Sequence, residues 1–87
     1  MSRHLRKRSL ILAGHDTSVA LEPAFWAVLE RMIAHQNVTL ARLVTQVDPQ
    51  RVPDQSLASA LRVCSLEWLE RQAAASPHSL SPQQARN

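Results

Sequence analysis

Thr17-Ser18-Val19-Ala20-Leu21 is the stretch on which the fold turns. Thr17, Val19 and Leu21 fall on one face and Asp16, Ser18 and Ala20 on the other, the period-two pattern of a half-buried strand. Directly behind it, Glu22-Pro23 opens a helix, because proline's missing N–H costs nothing at the first helical position. In front, Ser9-Leu10-Ile11-Leu12-Ala13 reads as a second short strand. Gly14-His15-Asp16, holding the only glycine of the chain, reads as a turn or bulge between the two. A strand must pair its N–H and C=O groups, and an isolated strand pair is marginal without packing. The economical expectation is therefore pairing with the same strand of a second chain.

Three helices follow. Phe25, Val28, Leu29, Met32, Ile33 and Gln36 keep the three-or-four spacing of a buried stripe, and Asn37 is suited to stop that helix in a left-handed conformation. Thr39 can cap a second helix, whose apolar face is Leu40, Leu43, Val44 and Val47. Asp48-Pro49 ends or kinks it, and residues 48–55, with Pro49 and Pro53, read as a loop. Ser56 or Asp54 can cap a third helix running to about Gln72, with Leu57, Ala60, Leu61, Cys64 and Trp68 on one face. Val63, Leu66 and Leu69 lie off that face. A helix apolar on most sides exceeds what a lone chain of 87 residues buries easily, a second argument for a dimer.

The charge distribution is uneven. The net charge is +3, yet Arg3, Arg6, Lys7 and Arg8 are four of the ten basic residues, and no acid precedes Asp16. The remainder is close to neutral. Residues 1–8 therefore read as a basic arm suited to an anionic polymer or surface. Residues 9–72 read as the folded unit and 73–87 as a disordered tail. The apolar run Leu10–Ala13 is too short for a signal-peptide core or a membrane span, and single Cys64 cannot form an internal disulfide, so a cytoplasmic protein without membrane attachment is the expectation.

Enzyme chemistry finds little support in the residues. His15, Asp16 and Ser18 include the side-chain types of a hydrolase triad, but on one strand they cannot converge, and His15 and Asp16 project to opposite faces. The histidines and Cys64 lack metal-ligand spacing, and one glycine cannot build a phosphate loop. Cys64 reads as a small core residue and Phe25-Trp26 as core packing, with Trp26 covering the strands or the third helix of a partner chain. No catalytic residue, cofactor or metal is expected.

Four stretches carry a resemblance: Gly14-His15-Asp16-Thr17-Ser18-Val19-Ala20-Leu21-Glu22, then Phe25-Trp26, then Asn37-Val38-Thr39-Leu40, then Ser59-Ala60-Leu61-Arg62. Together they resemble the ribbon-helix-helix family of DNA-binding proteins, and more narrowly a bacterial subfamily with a Gly-His-x-Thr-Ser-Val-x-Leu-Glu strand. The likeness runs from about residue 8 to residue 69. It implies an α+β, mostly helical fold: a ribbon-helix-helix unit with an extra N-terminal strand and a third helix, assembled as an intertwined homodimer that shares an antiparallel ribbon.

The resemblance also implies function. The ribbon would enter the DNA major groove with Asp16, Ser18 and Ala20 toward the bases. The backbone amides of residues 39–41, with Thr39 and Leu40 at the helix start, would grip a phosphate, with Arg42 adding charge. The outer strand face carries an acid, a hydroxyl and a methyl where family readers often carry Arg, Lys, Asn or Gln. The arm, through Arg3, Arg6, Lys7 and Arg8, is accordingly expected to supply much of the affinity. The expected function is that of a DNA-binding dimer acting as a transcriptional regulator on double-stranded DNA. The alternative is an antitoxin-like or protein-interaction dimer that engages a protein partner through the third helix and tail, with weak or no DNA binding.

Overall fold

The computed structural model describes residues 4–75. Strand β1 (Arg6–Leu12) and strand β2 (His15–Leu21) form an antiparallel pair, followed by helices α1 (Pro23–Gln36), α2 (Leu40–Val47) and α3 (Leu57–Ala75). A single 3₁₀ turn, Asp48–Gln50, follows α2 where the sequence suggested only loop.

The two strands are joined by a two-residue turn. Ala13 (φ 51°) and Gly14 (φ 82°) both adopt positive φ, the requirement of the type I′ hairpin whose twist matches that of its strands. The turn is thus Ala13-Gly14, and His15 and Asp16 belong to β2. As the extra N-terminal strand implied, β1 fills one edge of β2 and leaves the other open. One expectation is corrected: β1 begins at Arg6, so Arg6, Lys7 and Arg8 are strand residues rather than a free arm. They pair with Leu21, Ala20 and Val19 respectively.

Trp26 secures that extension. Its indole Nε1 donates to the Arg6 carbonyl at 2.7 Å, and the Arg8 guanidinium lies 4.6 Å from its ring centroid and forms an ion pair with Glu30. Leu29 and Met32 of the expected α1 stripe are buried, with Trp26 buried beside them in place of Phe25; Phe25, Val28 and Ile33 are half-buried and Gln36 is exposed. Pro23 stands at the helix start, with the N–H groups of Phe25 and Trp26 donating to the Glu22 carbonyl. Asn37, at φ 58°, ends the helix in the left-handed conformation.

The helices cover one side of the hairpin. Val19 and Leu21 meet Trp26, Leu29 and Met32 of α1, Leu43, Val44 and Val47 of α2, and Ala60, Leu61 and Trp68 of α3 in one core. Leu10 and Leu12 pack against it from β1. Helix α3 is capped by Ser56, whose Oγ accepts the Ser59 N–H at 3.0 Å, while Asp54 occupies a positive-φ position in the preceding turn. Ser65 is fully buried and meets its own need by donating to the Arg62 carbonyl. Val63 and Leu66 are exposed in the single chain. The helix runs three residues beyond its expected end; residues 76–87, the rest of the expected tail, lie outside the described residues.

Glu22 and Arg62 join two of the quoted motifs. Arg62 Nε donates to Glu22 Oε1 at 3.0 Å, tying the end of β2 to α3, and the guanidinium lies 5.7 Å from the Phe25 ring centroid. The hydrogen bond from Arg62, with one from the Glu22 backbone, holds the Glu22 carboxyl below its usual range. Both side chains retain solvent contact, so the pair is worth little in stability.

Candidate nucleic-acid interface

Cross-strand partners in an antiparallel pair share a face. The register therefore gives the hairpin an inner face of Arg6, Arg8, Leu10, Leu12, His15, Thr17, Val19 and Leu21. Its outer face is formed by three rows, Lys7 beside Ala20, Ser9 beside Ser18 and Ile11 beside Asp16. The outer face is exposed apart from Ala20, which is half-buried where exposure was expected. The hydroxyls of Ser9 and Ser18 stand 3.5 Å apart.

Both strand edges carry backbone groups without a partner in the hairpin. In a two-residue hairpin the residues flanking the turn form a hydrogen-bonded pair, and such pairs alternate with non-hydrogen-bonded ones along the ladder. Leu12–His15, Leu10–Thr17, Arg8–Val19 and Arg6–Leu21 are then the bonded pairs. The N–H and C=O groups of Asp16, Ser18 and Ala20 consequently point away from β1, along the free edge of β2.

The start of α2 is a second cluster. Thr39 Oγ1 accepts the Arg42 N–H at 3.1 Å, and the Thr39 carbonyl accepts the Leu43 N–H at 3.0 Å. Of the first helical amides, those of Leu40 and Ala41 remain for an anion, aided by the helix dipole. Arg42 is exposed beside them and has no ion pair among the described residues. This cluster belongs to a helix packed behind the hairpin, whereas Asp16, Ser18 and Ala20 point away from the helices.

The four cations expected to act as one arm do not share one environment. Arg3 lies outside the described residues. Arg6 and Arg8 take the inner face, and Arg8 is committed to Glu30 and Trp26. Lys7 alone of the strand's three cations sits on the outer face, together with Ser9 and Ile11, two outer-face residues that sequence reasoning missed. The signal was hidden because Leu10-Ile11-Leu12-Ala13 is a continuous apolar run in which alternation cannot be seen.

A hollow of about 480 Å³ beneath the hairpin turn is lined by residues including Leu12, His15, Thr17, Asp48, Arg51 and Leu57. There Arg51 is already held by Asp48 at 2.8 Å and by the Gln55 carbonyl. The Cys64 thiol is pushed up in pKa by burial and, less, by Glu67, against the opposing charge of Arg71.

Comparison with known proteins fits this geometry. The profile of a family described as "ribbon-helix-helix domain" matches residues 5–69. No curated protein matches the chain. Among solved structures, an uncharacterized protein from Bordetella pertussis Tohama I is similar, with a TM-score of 0.67 and 28% identity, over 95% of this chain and 71% of that one.

Proposed function

The chain belongs to the ribbon-helix-helix family, and from that footing we propose that two copies join their β2 strands edge to edge and use the joined outer face to bind double-stranded DNA as a transcriptional regulator. The observation that carries this reading is the free edge of β2, whose unpaired backbone groups belong to the same residues, Asp16, Ser18 and Ala20, whose side chains face outward. A seven-residue strand paired antiparallel with its own copy over its full length is centred on Ser18. Ser18 then meets Ser18, and Asp16 of one chain meets Ala20 of the other. Every such pair is of the hydrogen-bonded kind and keeps like faces together, so pattern and ladder agree.

The sheet of such a dimer presents three rows to the groove. The central row is Ser9, Ser18, Ser18 and Ser9, a ladder of hydroxyls able to donate to or accept from any base edge. The outer rows place Asp16, an acceptor for a cytosine amino group, beside Ala20, which can meet a thymine methyl. The Leu40 and Ala41 amides grip a backbone phosphate and Arg42 adds charge. Light scattering at low micromolar concentration should find twice the chain mass. Fluorescence anisotropy on labelled duplex should find affinity that falls steeply with salt. Ser18→Ala should change preference among sequences and leave the salt slope unchanged. A stable folded monomer, or a dimer indifferent to duplex at low salt, overturns the reading.

Val63 and Leu66, 44% and 55% exposed on α3, favour one second reading. They offer an apolar strip to a protein partner, as an antitoxin-like dimer would require. A stoichiometric protein co-purifying with the dimer, and lost on Leu66→Glu, supports that reading.

A further inference from the structure

Strand β1 changes what the joined sheet can touch. We infer that Lys7 contacts DNA phosphate from the outer strand of a four-stranded sheet, whereas its neighbour Arg8 does not touch DNA. The inference rests on the DNA-binding reading above and adds to it a residue, a strand and a position in the groove.

The pleat separates the two cations. Lys7 lies beside Ala20 on the outer face, is exposed, and has no ion pair among the described residues. Arg8 lies on the opposite face, beside Val19, with its charge met by Glu30 and its guanidinium stacked on Trp26. Withdrawing Arg8 to reach a phosphate would break both contacts. Lys7 needs to break none.

The width of the sheet sets where Lys7 arrives. Strands lie about 4.8 Å apart, so the outer strands of the order β1-β2-β2-β1 have axes about 14 Å apart. The major groove of B-DNA is about 12 Å wide. The two central strands therefore fit over base edges, while each β1 comes against a groove wall, where the phosphates are. Ser9 and Ile11 are too short or too apolar to exploit that position. A lysine, a flexible point charge on a four-carbon stem, suits it.

The same arrangement resolves the balance of charge on the outer face. Two copies bring two Lys7 and two Asp16, which cancel in sum. Their positions differ, however: Asp16 stands on a central strand over bases and Lys7 on an outer strand over phosphates. The acid is thereby kept from the backbone it would repel, and the cation is placed on it.

The test is a salt series by fluorescence anisotropy, with the full chain and its variants on one labelled duplex. Each phosphate contact contributes about −0.9 to the log–log slope, so Lys7→Gln should flatten it by about 2 for the dimer. It should weaken binding to all sequences alike. Lys7→Arg should restore the slope. Arg8→Gln should lower the melting temperature and leave the slope of the folded protein unchanged. If Lys7→Gln keeps the full slope while the unaltered chain binds, this inference fails and the DNA-binding reading stands. If Arg8→Gln flattens the slope as Lys7→Gln does, the separation of the two cations is wrong. If the unaltered chain does not bind, both readings fall together.

Discussion

The two faces of the hairpin are built from alternate residues of the same two strands, yet they follow different rules. Inward, Leu10, Leu12, Val19 and Leu21 meet the helices, and even Arg8 is drawn into contact with Trp26 and Glu30. Outward, Lys7, Ser9, Asp16 and Ser18 meet solvent, and Ile11 is 64% exposed. The inner face is chosen by volume and apolarity, since it must fill a core. The outer face is free of that demand, and so its residue types carry information about what lies beyond the chain. The lesson is that neighbouring residues of like chemistry, as Lys7 and Arg8 are, meet different surroundings when a strand runs through them.

The sharpest way to break this contrast is to place one acid on each face. Val19 is 3% exposed, so Val19→Asp buries a carboxylate without a partner and should cost more than about 3 kcal/mol, a large share of a small domain's stability. Circular dichroism should show no cooperative melt near that of the unaltered chain. Ser9→Asp, on the exposed outer face beside Ser18, should leave the melt in place. Equal tolerance at the two sites would show the faces to be misassigned.

A smaller effect is expected where the faces are joined to the helices. Trp26→Phe keeps most of the apolar bulk but removes the donor to the Arg6 carbonyl and weakens the stacking of Arg8. The expected loss is about 1–3 kcal/mol, with amide exchange accelerated along β1 more than along β2. Uniform acceleration through the whole molecule would show that Trp26 supports the core in general and has no special hold on β1.

The turn offers a gain instead of a loss. Ala13 is held at φ 51°, where an L-residue other than Asn, Asp or Gly is strained. Ala13→Asn creates the Asn-Gly pair favoured by this turn type and should stabilise by about 1 kcal/mol. A fall in melting temperature would contradict the turn geometry.

The smallest effect belongs to Glu22. Its carboxyl is held below the ordinary range in the folded chain, so its contribution is complete above the unfolded carboxylate pKa and is lost as pH falls through the lowered folded value. Glu22→Gln should therefore lower the melting temperature slightly at neutral pH, with the difference closing in acid. A difference that widens in acid would mean that the Arg62 bond is not its source.

Much of this architecture was legible in the residues, and the exceptions share a cause. Alternation at Thr17–Leu21, Pro23 at a helix start, Asn37 at a helix end and Thr39 as a cap are local signals, each decided within a few residues of chain, and each is present in the structure. What could not be read depends on contacts distant in sequence. Arg6, Lys7 and Arg8 look like a free basic arm until Trp26, far along the chain, is seen to hold the Arg6 carbonyl. On α1, Trp26 is buried in place of Phe25. Ser65 is invisible to a search for apolar periodicity because it satisfies its hydroxyl within its own helix. On the candidate interface, alternation alone assigns Asp16, Ser18 and Ala20 to the outer face, but Ser9 and Ile11 need the register of the hairpin, which the apolar run in β1 conceals.

The indole of Trp26 has an optical consequence. The chain contains two tryptophans and no tyrosine, so its near-ultraviolet emission comes from two places only. Trp26 reads the seam between β1 and α1; Trp68 reads the seam between α3 and α1, with the His35 ring 5.9 Å and the Arg31 guanidinium 5.4 Å from its own ring. Removing either one leaves a single emitter. The protein thus holds its own pair of lamps, one at each seam, and stopped-flow emission can time the release of the first strand separately from the release of the last helix.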